Sequence, residues 1–132
     1  MPHPNILMIT CHDIGRHLGC CGINTVHTPN IDRAASQGVR FDNFYATSAV
    51  CSPARGSLHT GRYPQSNGLM GLTHAPWWWK LNDNEHHTAE RLSNCGYDTY
   101  LVGFNHIHRD AERLGYGKRL SPSCKAEDTV KA

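Results

Sequence analysis

Thr28-Pro29-Asn30-Ile31-Asp32-Arg33-Ala34-Ala35-Ser36-Gln37-Gly38 is the stretch on which the fold reading turns. The order of residue types predicts one helix. Thr28 is a favoured N-cap, Pro29 suits the first helical position, and Gly38 can adopt the left-handed stop. Ile31, Ala34 and Ala35 fall at i, i+3 and i+4 and mark an apolar face. Val39–Ala46 follows at once with Val39, Phe41, Phe44 and Tyr45, a strand composition.

The same alternation extends outward in both directions. Ile6–Thr10 is a short apolar run between Pro4-Asn5 and the polar, glycine-containing residues 11–22. It predicts a buried parallel strand, with Asp13 near its carboxyl end, where α/β proteins place ligands. Downstream, Cys51–Gly61 reads as a loop entering a helix near Ser52-Pro53 and stopping at Gly61. Arg62–Trp79 is irregular. His86–Asn94 predicts another amphipathic helix, with Ala89 and Leu92 inward and Gly96 as its stop, and Tyr97–Gly103 another strand. From Asn105 to Ala132 the chain reads as polar loop. Strand, helix, strand, helix, strand gives an α/β fold with a mostly parallel sheet flanked by helices.

The chain's 132 residues amount to a single domain by length. No apolar run is long enough to span a bilayer. The net charge is +2, with no basic stripe, so nucleic acid is not an expected partner, and neither is a membrane. Six cysteines could form a disulfide scaffold, but Cys11 ends an apolar run and Cys95 a helix-like segment, positions of small buried hydrophobes. No secretory leader precedes Ile6, so the chain as written is expected in the cytoplasm. His3, His27, His59, His86, His87 and His108 read as surface or loop residues; His86-His87 and His106-x-His108 are weak metal-ligand spacings. The Trp77-Trp78-Trp79 run could be a core plug, a stacking surface for sugars, or an interface.

Cys51-Ser52-Pro53-Ala54-Arg55-Gly56-Ser57-Leu58-His59-Thr60-Gly61-Arg62 carries the most specific chemistry. A cysteine at a helix start sees unpaired backbone N–H groups and the positive end of the helix dipole, and Arg55 adds a fixed positive charge one turn on. That environment suits an anionic group. The segment resembles the Cys-x-Pro-x-Arg motif of type I sulfatases, in the alkaline phosphatase superfamily. Asn5–Asp13, Thr28–Asp32, Gly38–Ala46 and Cys95–Gly103 also resemble that family's pattern. Asn67–His74 looks most like the branch of bacterial sulfatases related to heparan N-sulfatase.

The resemblance implies a hydrolase acting on a sulfate ester or N-sulfate, with sulfated sugars as the expected substrates. It implies that Cys51 becomes formylglycine through a formylglycine-generating or anaerobic sulfatase-maturating enzyme that reads Cys51, Pro53 and Arg55. One hydroxyl of the hydrated aldehyde attacks sulfur, and the aldehyde reforms as sulfate leaves. Cys51, Arg55 and His106 are the implied catalytic residues, and His74 a substrate contact. Asp13, His12 and the modified Cys51 are the implied ligands of a divalent metal, calcium first.

Three departures stand out. His12 occupies a position where the family has a carboxylate, and Phe104 one where it has a sulfate-contacting lysine. The family's later metal ligands have no counterpart. The 132 residues are therefore expected to be the truncated N-terminal part of a sulfatase catalytic domain, with an unpaired sheet edge and an exposed apolar face. Two alternatives remain beside the enzyme reading. One is an inactive remnant that binds sulfated glycan or metal; the other is a related phosphoesterase or phosphonate hydrolase.

Overall fold

The computed structural model describes residues 3–108 and 110–121. The chain divides into two compact units, Met1–Phe44 and Tyr45–Ala132.

In the first unit the decisive helix forms as α1, Pro29–Gln37, with Pro29 at its start. Thr28 precedes it but does not cap it in the ordinary way. Its hydroxyl accepts the Gly19 N–H at 2.9 Å and donates to Asp32 Oδ1 at 3.0 Å. The Asp32 carboxylate also accepts the Cys20 N–H at 2.7 Å. Thr28 and Asp32 thus tie a 3-10 turn at Gly19–Cys21 to the first turn of α1. Asp32 is well placed there, since a carboxylate in the first turn complements the helix dipole. The side chain leaves no space for a Cβ at Gly19. Gly38 ends α1 at φ −128°, ψ −156°, an extended exit in place of the expected left-handed stop.

Ile6–Thr10 and Val39–Ala46, both expected as strands, are not strands. Leu7 is 85% exposed, and Ile6, Ile9, Val39, Phe41, Phe44 and Tyr45 are also exposed. A buried parallel strand needs hydrogen-bonding neighbours on its edges, and among the described residues the sheet is built without either run. Apolar composition alone does not create a strand.

The second unit holds α2 (Cys51–Thr60), α3 (Pro64–Asn67), α4 (Thr88–Asn94), β1 (Tyr100–Val102) and β2 (Lys118–Ser121), with a 3-10 turn at Glu112–Leu114. β1 and β2 pair in parallel, Tyr100 opposite Lys118 and Leu101 opposite Arg119, with an irregularity before Val102 meets Ser121. This is the parallel sheet of the expected α/β class, formed among the described residues by two strands. β2 corrects the expectation that everything beyond Asn105 is loop; residues 122–132 of that stretch, with Cys124, lie outside the described residues. β1 is shorter than the expected Tyr97–Gly103. α4 begins at Thr88, two residues later than expected, because His87 serves as its N-cap and accepts the Ala89 N–H on Nδ1 at 3.1 Å.

The core of this unit is Leu69, Ile107 and Leu114, flanked by Leu81 and Tyr116. Asn67, fully buried, organises the chain around it. Its amide donates to Arg62 O at 3.1 Å and Thr60 Oγ1 at 3.3 Å, and its Oδ1 accepts the Leu69 N–H at 2.9 Å. Arg62 pairs with the nearly buried Glu85 at 2.8 Å. Cys11 and Cys95, expected to be buried, are exposed, and the five described cysteines are free thiols. The three indoles of Trp77, Trp78 and Trp79 are each about half exposed, which excludes the core-plug reading. No helix among the described residues is long and apolar enough to cross a membrane.

Candidate active site

The helix that carries the cysteine is specified residue by residue. Val50 is extended, and Cys51 is the first helical residue, slightly earlier than Ser52-Pro53 suggested. Pro53 costs nothing where it stands, because the first N–H groups of a helix have no intrahelical acceptor. Ser52, Pro53, Gly56 and Ser57 form the buried face. At Gly56 a Cβ would come within 2.8 Å of Leu69 Cδ2, so glycine is what lets α2 sit directly on the core. Gly61, at φ +70°, closes the helix as expected, its N–H donating to Ser57 O at 2.8 Å.

This packing leaves Cys51 half-buried at the head of α2, with Arg55 one turn along. Residues four apart share a helix face. The Arg55 guanidinium carbon lies 5.3 Å from the centre of the Phe104 ring, a cation–π contact. Phe104 is 5.3 Å from the His106 ring, His106 stacks on His74 at 5.7 Å and 7°, and His74 meets Trp77 edge-on at 5.9 Å. The structure therefore gathers three expected site residues, Arg55, His106 and His74, through Phe104. The loop that carries His106 is shaped by Asn105, whose buried Oδ1 accepts the N–H groups of Ile107 at 2.7 Å and His108 at 2.8 Å. His106 itself sits at φ +60°, a left-handed backbone that a side chain rarely adopts without support. Asn105 and Phe104 had no assigned role from sequence. An asparagine accepting from the N–H groups that follow it was the available signal.

Behind the opposite end of α2 lies a second histidine pair. His59 and His87 stack at 4.2 Å, and Thr88 Oγ1 donates to His59 O at 2.7 Å, joining α2 to α4. Both were expected at the surface; His87 is 2% exposed. Helical spacing does not reveal that His59 and Tyr116 lie against its ring. Burial, and secondarily His59, pushes the His87 pKa down to about 3. Burial, and secondarily Arg55, pushes His59 down as well.

Asp13 and His12 belong to the first unit. His12 Nε2 lies 3.5 Å from Asp13 Oδ2, both side chains are well exposed, and Asp13 adopts φ +52°. Among the described residues, no group of three or more His, Cys, Asp or Glu side chains converges as a metal site. One carboxylate and one imidazole fall short of the six to eight oxygens that calcium takes. The described residues alone do not make a calcium site.

A sulfatase family model matches residues 4–120, and the chain belongs to the sulfatase family. It is 43% identical over 108 residues to arylsulfatase H of Canis lupus familiaris, covering 76% of this chain and 19% of that protein. It is 31% identical over 119 residues to N-acetylglucosamine-6-O-sulfatase of Bacteroides thetaiotaomicron, covering 89% of this chain and 20% of that one. A solved structure from work on glycosaminoglycan metabolism by Bacteroides thetaiotaomicron superposes with a TM-score of 0.62 at 31% identity, covering 80% of this chain and 25% of that one. The chain thus spans about a fifth of the length of the curated relatives it matches.

Proposed function

We propose that this chain carries the nucleophile end of a sulfatase active site and that its substrate is a sulfated sugar. The observation that carries the reading is Cys51 at the head of α2 with Arg55 one turn on, in contact with Phe104 and through it with His106 and His74. Cys51 is the residue converted to formylglycine, whose hydrate supplies the attacking oxygen. The Arg55 guanidinium holds the sulfate oxygens, and the unpaired N–H groups of the first turn of α2 add to the positive potential there. The packing of Phe104 against the guanidinium fixes its direction. His106 handles the proton at the departing oxygen, and His74, stacked on it, holds the imidazole plane.

The proposed metal is calcium. Asp13, His12 and the modified residue 51 would be this chain's share of its ligands; the described residues do not complete the set, and no step is assigned to the ion. The proposed partners are a formylglycine-generating or anaerobic sulfatase-maturating enzyme and a sulfate ester of a sugar. An O-sulfate is favoured over an N-sulfate by the name of the Bacteroides thetaiotaomicron relative, an N-acetylglucosamine-6-O-sulfatase.

The test is co-expression with a maturase, followed by labelling with an aldehyde-reactive hydrazide and mass spectrometry of the peptide that contains residue 51. Labelling that Cys51→Ala abolishes is the expected result. An intact Cys51 thiol with no labelling refutes the reading. In a second reading, these residues bind sulfated glycan without turning it over, and the exposed indoles of Trp77, Trp78 and Trp79 support such binding. Aryl sulfate turnover that Cys51→Ala removes would reject that second reading.

A further inference from the structure

We infer that the Trp77-Trp78-Trp79 run builds a carbohydrate subsite beside the candidate active site, for the sugar ring adjoining the one that bears the sulfate. The inference rests on the sulfatase reading above and adds a specificity element to the same site.

The run is a fixed turn. The N–H groups of Trp77 and Trp78 both donate to His74 O, at 3.1 and 3.2 Å, and the Trp79 N–H donates to Leu72 O at 3.0 Å. Trp78 is held at φ +51°, a conformation that a bulky residue keeps only when its surroundings impose it. This backbone sends the indoles to different places. Trp77 meets His74, in the cluster that leads to His106 and Arg55. Trp78 and Trp79 line a cavity of about 180 Å³ together with Thr73, Lys80, Ile107 and His108. Trp79 lies against Gly71, where an added Cβ would stand 2.5 Å from Cδ1 and 2.7 Å from Nε1. Glycine there is what lets the indole lie close over the backbone.

The cavity adjoins the site at two points along the chain. Ile107 follows His106 directly, and Trp78 follows Trp77. The loops that carry His106 and Trp77 into the site thus also carry residues that line the cavity.

The lining selects the occupant. Indole faces accept the C–H face of a pyranose ring, while the Thr73 hydroxyl, the Lys80 ammonium and the His108 imidazole can meet its hydroxyls. The volume is that of about six water molecules, on the scale of one hexose ring. A flat aromatic group or an apolar side chain of a protein would use the indoles and leave the three polar groups without a role. Lys80 pairs with Asp83 at 3.3 Å on the surface, an exchangeable contact that a sugar hydroxyl can replace.

All three tryptophans of the chain lie in this run, so intrinsic tryptophan emission reports on it alone. The full chain is titrated with a 6-O-sulfated glucosamine disaccharide, the corresponding sulfated monosaccharide, and the unsulfated disaccharide. The sulfated disaccharide is expected to bind about tenfold more tightly than the monosaccharide. The unsulfated disaccharide is expected to shift the emission weakly. Thr73→Val and Lys80→Ala keep all three indoles and should erase the disaccharide advantage while leaving monosaccharide affinity unchanged. Equal affinity for the two sulfated sugars overturns the subsite. So does an advantage that survives both substitutions, or emission that responds to none of the three. Failure of the sulfatase reading has a different signature: Arg55→Ala would leave monosaccharide affinity unchanged while the unsulfated disaccharide still shifts the emission.

Discussion

Lowering the pH from 7 to 5 should destabilise the second unit through His87. The ring is buried between His59 and Tyr116, with Arg55 acting through His59, and carries a pKa of about 3 in the folded chain. In the unfolded chain it returns to about 6.5. Below pH 6.5 the unfolded state therefore binds a proton that the folded state refuses. Stability from this group is complete above about pH 6.5 and is lost progressively as the pH falls toward 3. Integrating the proton uptake between pH 7 and pH 5 gives a loss of about 2 kcal/mol, and His59 shifts in the same direction. For a unit whose buried apolar core is a handful of side chains, that is a large part of its stability. The assay is urea unfolding at pH 5, 6 and 7, followed by circular dichroism. His87→Asn keeps an N-cap acceptor for the Ala89 N–H and removes the titration. The variant should be less stable than wild type at pH 7 and should show a shallower pH slope. A wild-type free energy equal at pH 5 and pH 7, or an unchanged slope in His87→Asn, refutes the assignment of a buried neutral imidazole.

Three other perturbations test the packing under the site. Gly56→Ala should gain up to about 1 kcal/mol of helix propensity but drive a methyl onto the fully buried Leu69, for a net loss of about 1–2 kcal/mol in urea unfolding. Asn67→Leu removes three hydrogen bonds and strands the Leu69 N–H, so a loss above about 2 kcal/mol is expected from the same measurement. Phe104→Leu keeps apolar volume and removes the ring face under Arg55; a loss of about 0.5–1 kcal/mol relative to the same change in an Arg55→Met background, measured as a double-mutant cycle, is the expected coupling.

The elements that the sequence disclosed are those whose determinants are local. α1 follows from Thr28, Pro29 and its spacing of alanines, and α2 from Pro53 and Gly61. Strands depend on partners distant in sequence, which explains why Ile6–Thr10 and Val39–Ala46 read as strands and are not, and why the polar Lys118–Ser121 pairs with β1 without advertising it. The candidate site divides in the same way. Cys51, Pro53 and Arg55 stand on one helix and were legible as a motif. The links from Arg55 to Phe104, His106 and His74 cross three separate segments, and only the folded chain brings them together. The burial of His87 was hidden for that reason too, since nothing within four residues of it specifies what lies above it.

On the proposed reading, the burial of Ser52 and Pro53 beneath a half-buried Cys51 would impose an order of events. A maturating enzyme that had to grip Pro53 to oxidise the Cys51 thiol would find that proline sealed once α2 has settled onto Leu69. On the proposed reading, maturation and folding compete for the same dozen residues. Conditions that slow docking of α2 would widen the interval for oxidation, and those that hasten it would lock in an unconverted cysteine. A change that stabilises this helix could thereby yield a better-folded chain with less of its nucleophile.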